Sequence, residues 1–193
     1  RGGPGLLAVA ATVFAESNTS LIISGVYSNK PEGVIIGYTG TNNTLNVNSS
    51  GVLNTTNGAA VGIMPEACFN AATVMGAGST WSIGSGGYVG GYGSFNRLAI
   101  AAGGKMIVSN DFFVAFDPAS SNNSISITGS GSSLILPANS EFSLGFAGSG
   151  NSVVVSNGGG LAARQVTVGG AETAQRNSLL VCGGVVTTRY TYV

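Results

Sequence analysis

Asn43-Thr44-Leu45-Asn46-Val47, Asn70-Ala71-Ala72-Thr73-Val74, Asn96-Arg97-Leu98-Ala99-Ile100, Asn123-Ser124-Ile125-Ser126-Ile127, Asn151-Ser152-Val153-Val154-Val155 and Asn177-Ser178-Leu179-Leu180-Val181 share one frame: an asparagine with apolar residues two and four positions later. Thr19-Ser20-Leu21-Ile22-Ile23 fits the same frame with threonine at its head. The seven heads are separated by 24, 27, 26, 27, 28 and 26 residues, a period of about 26. Apolar residues recurring at every second position mark a half-buried strand, and no stripe at i, i+3, i+4, i+7 runs for a helix length.

Each period carries two further apolar patches. After Asn96 they are Met106-Ile107-Val108 and Phe112-Phe113-Val114; after Asn123 they are Leu134-Ile135-Leu136 and the stretch from Phe142 to Phe146. Between the patches lie Ser49-Ser50-Gly51, Gly103-Gly104, Gly129-Ser130-Gly131 and Asn157-Gly158-Gly159-Gly160, residues suited to sharp corners. A three-strand unit of this size leaves both flanks of its apolar layer open to water, so units must stack, each pairing with the one before and after. The pattern therefore predicts an all-β chain: a right-handed parallel β-helix, or β-solenoid, with three short strands per turn and roughly seven turns. Leu21, Leu45, Leu98, Ile125, Val153 and Leu179 are expected to share one internal column. Asn43, Asn70, Asn96, Asn123, Asn151 and Asn177 form a structural column, either a ladder of stacked amides or a set of turn residues ahead of each strand.

Composition narrows the function. The 193 residues hold 7 Lys+Arg and 7 Asp+Glu, a net charge of zero, and 32 glycines within a chain that is 44% hydrophobic. A nucleic-acid binder needs a basic face and a polybasic anchor needs a cluster, so neither nucleic acid nor membrane insertion is expected. The apolar run from Leu6 to Ala15 is far shorter than the ~20 residues a bilayer requires, and reads as structure. Histidine is absent, which removes the commonest general base and metal ligand. Cys68 and Cys182 lack the paired spacing of zinc or redox sites and read as small buried hydrophobes.

No catalytic, cofactor-binding or metal site is expected. The one carboxylate pair placed to meet on neighbouring turns is Asp117 with Glu141, a weak basis for sugar hydrolysis. Two aspartates are too few for the calcium-binding solenoid repeat. The glycines from Gly84 to Gly93 lack the Lys-Ser/Thr of a phosphate loop and read as corners. Trp81, Tyr88 and Tyr92 gather in one turn; inward stacking of Trp81 is the expectation, a sugar platform the alternative. Asn18, Asn42, Asn48, Asn54 and Asn122 head N-glycosylation triplets, which arise by chance in a chain so rich in Asn, Ser and Thr.

At the level of its repeat the chain resembles bacterial autotransporter-type passenger proteins, whose pattern is Gly-x-Asn-x-apolar-x-apolar-x-x-Gly-Gly. The residues that carry the likeness are Gly40 to Val47 and Gly148 to Gly159, with the strand endings Ile36-Gly37-Tyr38, Val61-Gly62, Val89-Gly90 and Val168-Gly169. It extends over residues 17 to 182. The resemblance implies an exported β-helix at the bacterial cell surface, serving as adhesin or stalk. The translocator barrel of that family has no counterpart in these residues.

The chain reads as a single solenoid domain, 1–193, with an N-terminal edge segment (1–16), the repeats (17–182) and C-terminal edge strands (183–193). Solenoid ends expose unpaired edges, and no polar cap is evident at either one. Leu6, Val9, Val13 and Phe14 at one end, with Val186, Tyr190, Tyr192 and Val193 at the other, are candidates for contact between copies. A head-to-tail contact does not close on itself and builds a filament. The expectation is an extracellular structural protein that assembles end to end from identical subunits; the alternatives are a passenger fragment that binds glycans and, behind it, a polysaccharide-degrading enzyme.

Overall fold

The computed structural model describes residues 12–193, so Leu6 and Val9 lie outside the described residues. These form 22 strands and no helix, arranged in three parallel sheets that wind as a right-handed β-solenoid. Each turn contributes one strand to each sheet. In the second turn these are Thr44–Asn48, Val52–Thr55 and Ala59–Val61, and we call the three sheets anchor, middle and closing in that order. The anchor and middle sheets have seven strands; the closing sheet has eight, because Thr12–Val13 pairs ahead of Val34–Ile36.

Register puts the predicted column in one file. Leu21 pairs with Leu45, Leu45 with Ala72, Ala72 with Leu98, Leu98 with Ile125, Ile125 with Val153 and Val153 with Leu179. Leu45, Leu98, Ile125 and Val153 are buried, whereas Leu21 and Leu179, in the outermost anchor strands, are half-buried. The file belongs to a continuous apolar column filled from all three sides. Volumes compensate within a turn: the third turn holds Ala72 and Gly87 beside Trp81, the fourth Leu98 and Phe112 beside Met106. Trp81 is 1% exposed. A Cβ on Gly87 would stand 2.7 Å from the Phe112 ring, so glycine is required where that ring stacks against the turn above.

The corners alternate with a period of two turns. After the closing strand, residues 38–42, 91–95 and 146–150 make short connections, whereas 63–69, 116–122 and 170–176 are two residues longer. Each long corner adds a β-turn, in which Ala67, Ser120 and Ala174 donate backbone N–H bonds to Met64, Asp117 and Ala171. At the anchor-to-middle corner, Ser79 and Ser132 recur at the same two-turn interval. Their hydroxyls accept the N–H of Ser50 and of Gly103 from the preceding turn.

The two ends differ. In the first turn Ser28 and Lys30 occupy the inward positions that hold Leu53 and Thr55 in the second, so the middle-sheet side of that turn is polar, while Leu21 and Ile23 keep its anchor side apolar. In the seventh turn Val185–Thr187 and Tyr190–Tyr192 are regular middle and closing strands, and the C-terminal edge segment thus completes a full turn. Two further expectations are corrected. Phe14 is buried in the core, where a terminal edge residue would be open. Cys68 is half-buried and Cys182 exposed, neither enclosed as a small hydrophobe, and both are free thiols.

Candidate functional site

The asparagine column works through the main chain. The chain enters each anchor strand through a residue in the left-handed region, from Asn18 (φ 62) and Asn42 (φ 56) to Phe69 (φ 60), Phe95 (φ 59), Asn122 (φ 56) and Arg176 (φ 57). The N–H that follows has no ladder carbonyl of its own, and the next turn supplies one. Asn43, Asn70, Asn96, Asn123 and Asn151 each donate their backbone N–H to Oδ1 of the asparagine one turn on, at 2.8 to 3.0 Å. Thr19 donates to Asn43 in the same way at 2.8 Å. Nδ2 of Asn70, Asn123 and Asn151 adds a second bond to the same acceptors, so the amide-to-amide ladder is present at those steps only. A buried carboxylate would accept the same N–H at the cost of an unpaired charge, which explains the neutral amide.

The column sets the residue beside it. Gly37, Gly62, Gly90 and Gly145 close their strands with φ between 67° and 77°. A Cβ on Gly62 would stand 2.2 Å from the Asn96 amide. At Gly37, Gly62 and Gly90 the strand endings that carried the family resemblance are thus explained by left-handed backbone and by the room an asparagine takes, whereas Gly169 shares the left-handed backbone alone.

Among the carboxylates, Asp117 and Glu141 sit at opposite ends of the closing strands and are not brought together as a pair. Asp117 Oδ1 accepts the N–H of Ala119 at 2.9 Å. The neighbours on adjacent turns are Asp111 and Glu141, where Asp111 Oδ1 accepts the backbone N–H of Glu141 at 2.8 Å. Among the described residues no group of three His, Cys, Asp or Glu side chains is placed to hold a metal ion.

The aromatic residues divide differently from the sequence grouping. Trp81 points into the core, while Tyr88 lies outside the closing sheet, stacked on Phe113 with centroids 5.7 Å apart. Phe116 and Phe146 complete that cluster, stacked at 5.0 Å. Burial first, then the neighbouring Tyr92 and Asp111, pushes the Tyr88 phenol up to about 12. Sequence reasoning missed a second pair, Phe69 and Phe95, stacked at 5.1 Å and exposed by 57% and 43%. Both occupy the left-handed position ahead of an anchor, where neighbouring turns use Asn42 and Asn122; the signal was an aromatic residue in an asparagine's place.

The candidate assembly residues are divided too. Val13 pairs with Ile35 through its backbone. Val186 continues the inner file above Leu161 and is half-buried. Tyr190 and Tyr192 stand outward from the closing strand rather than on its stacking surface, and the Arg164 guanidinium lies 5.4 Å from the Tyr190 ring centroid. Val193 is fully exposed. Comparison with protein-family models, with curated proteins and with solved structures found no match to this chain.

Proposed function

We propose that this protein is an extracellular structural rod, a β-solenoid subunit that extends end to end into a surface filament or stalk. The seventh turn carries the reading. Leu179, Val181 and Val186 continue the inner files with one side uncovered, Val181 at 45% exposure, beside three strands each with one unpaired edge among the described residues. Such a surface is satisfied by another turn of the same geometry, which supplies backbone partners and an apolar layer together. The near absence of charge supports it, since little like-charge repulsion opposes stacking. Val181→Lys and Val186→Lys place ammonium groups on that surface without emptying the core. Light scattering and negative-stain microscopy should show concentration-dependent rods for the parent chain and single short rods for the variants; single rods for the parent at every concentration contradict the proposal.

Strand phase favours a second reading, a passenger segment whose further turns belong to a longer chain that engages glycans. Among the described residues, twenty-two strands make seven turns and one strand more. When a second copy pairs its Ser20–Ser24 with Ser178–Cys182, its Thr12–Val13 falls in the place already held by Tyr190–Tyr192. Copies therefore join in all three sheets only after one of those strands gives way, whereas a continuing chain meets no such conflict.

A further inference from the structure

A groove of about 510 Å³ lies on the side of the rod where the middle sheet turns into the closing sheet, lined in part by Leu136, Ala162, Arg164, Thr187 and Arg189. A smaller hollow of about 200 Å³ continues it along the middle sheet, sharing Ala162 and Thr187. The depression has a local cause. In the sixth turn the outward residues of the middle strand are Gly160 and Ala162, between Ser133 and Ile135 on one side and Val185 and Thr187 on the other.

At the head of the groove the same corner position holds Glu32, Asn57, Ser85, Asn110 and Ser140 in the first five turns, and arginine in the last two. Arg164 and Arg189 are on directly adjacent turns, joined by the bond from Arg189 N–H to the Arg164 carbonyl at 2.9 Å. Like charges placed opposite one another on neighbouring strands destabilise a sheet. A chain with only 7 basic residues in 193 nevertheless puts two of them here. The Arg164 guanidinium lies over the Tyr190 ring, a cation–π contact that takes up none of its N–H donors. With their backbones one strand spacing apart and both side chains lining the groove, the two arginines offer the planar donor forks that suit a carboxylate or sulfate. Ile135, Ala138 and Ala162 offer the apolar strip that the C–H face of a sugar ring covers.

We propose that this groove binds an acidic glycan, with a carboxylate or sulfate group held between Arg164 and Arg189 and the sugar ring lying over Ala162. The ligand class rests on the second reading above; the site itself is independent of end-to-end stacking.

The test is equilibrium binding of the full chain to polygalacturonate and to heparin, with neutral dextran and inorganic sulfate as separate arms, repeated for Arg164→Gln, Arg189→Gln and the double variant. Arg189→Gln keeps the Tyr190 contact, so it remains informative if Arg164→Gln unfolds, which circular dichroism reports. The expected result is binding to one or both acidic glycans, weakened about tenfold by either single change, falling with added salt, and absent for dextran. Acidic-glycan binding that both variants leave intact overturns the site while the passenger reading stands. Sulfate alone binding as tightly as the glycans overturns the sugar component. Silence toward every glycan overturns the inference and the glycan-engaging reading with it.

Discussion

Asn70 and Asn96 are joined twice: the backbone N–H of Asn70 donates to Oδ1 of Asn96 at 3.0 Å, and Nδ2 of Asn70 reaches the same oxygen at 3.1 Å. Both residues are buried, so removing the acceptor leaves two donors without water. Asn96→Ala is expected to cost about 1–3 kcal/mol for each donor left unsatisfied. Chemical denaturation of the variant beside the parent measures it. An unchanged midpoint would mean the column is ornamental.

Gly62 and Gly76 separate conformational strain from crowding. Both have positive φ, 77° and 95°. A methyl on Gly76 meets nothing closer than 3.7 Å, whereas one on Gly62 meets the Asn96 amide at 2.2 Å. Gly76→Ala is expected to lose about 1–2 kcal/mol from backbone strain alone, and Gly62→Ala clearly more, since it also displaces a ladder rung. Thermal melts of the pair give the order.

The period of about 26 and the file containing Leu45, Leu98, Ile125 and Val153 were legible in the sequence, because a strand's inward face repeats at every second residue whatever the corners do. The direction of the asparagine bonds was not. An asparagine before a strand is equally a turn residue, and only the left-handed residue ahead of it reveals that its N–H needs an acceptor from the next turn. The two-turn alternation was written in Pro65 and Pro118, and in Ser79 and Ser132, but one or two extra residues at a corner read as ordinary irregularity in spacing. Ser28 and Lys30 were hidden for another reason: inward and outward positions of a four-residue polar strand cannot be told apart until the neighbouring Leu53 and Thr55 define the register. The Arg164 and Arg189 groove needed register as well, since 25 residues separate the two in the chain.

Trp81 is the single tryptophan and is sealed inside the column, so it reports on the stacking of the third turn. Its emission should be blue-shifted and resistant to iodide in the native protein, becoming red-shifted and quenchable on unfolding. Trp81→Ala is expected to cost about 3–5 kcal/mol, because neighbouring Ala72 and Gly87 are too small to fill the space. Native fluorescence open to iodide would contradict the inward assignment.

Tyr88 provides a pH signature. Its folded value near 12 lies above the ordinary 10.0, so the native protein keeps a proton that the unfolded chain releases earlier. The stabilisation is whole below pH 10.0 and is lost as pH rises through about 12. Alkaline absorbance titration should show a late phenolate transition that Tyr88→Phe abolishes. Loss of no late component in the variant would place Tyr88 in solvent.

The competition between Thr12–Val13 and Tyr190–Tyr192 for one place in the closing sheet makes end-to-end extension open to a direct measurement. Thr12–Val13 is two residues long and is the easier strand to displace. Removing residues 1–13 should therefore promote stacking. Electron microscopy of the shortened and full-length chains at matched concentrations is the decisive comparison. Extension predicts longer rods after the removal, growing in steps of about 34 Å, seven turns at ~4.8 Å each. Full-length chains that stay single seven-turn rods at every concentration, or rods that the removal does not lengthen, would contradict it.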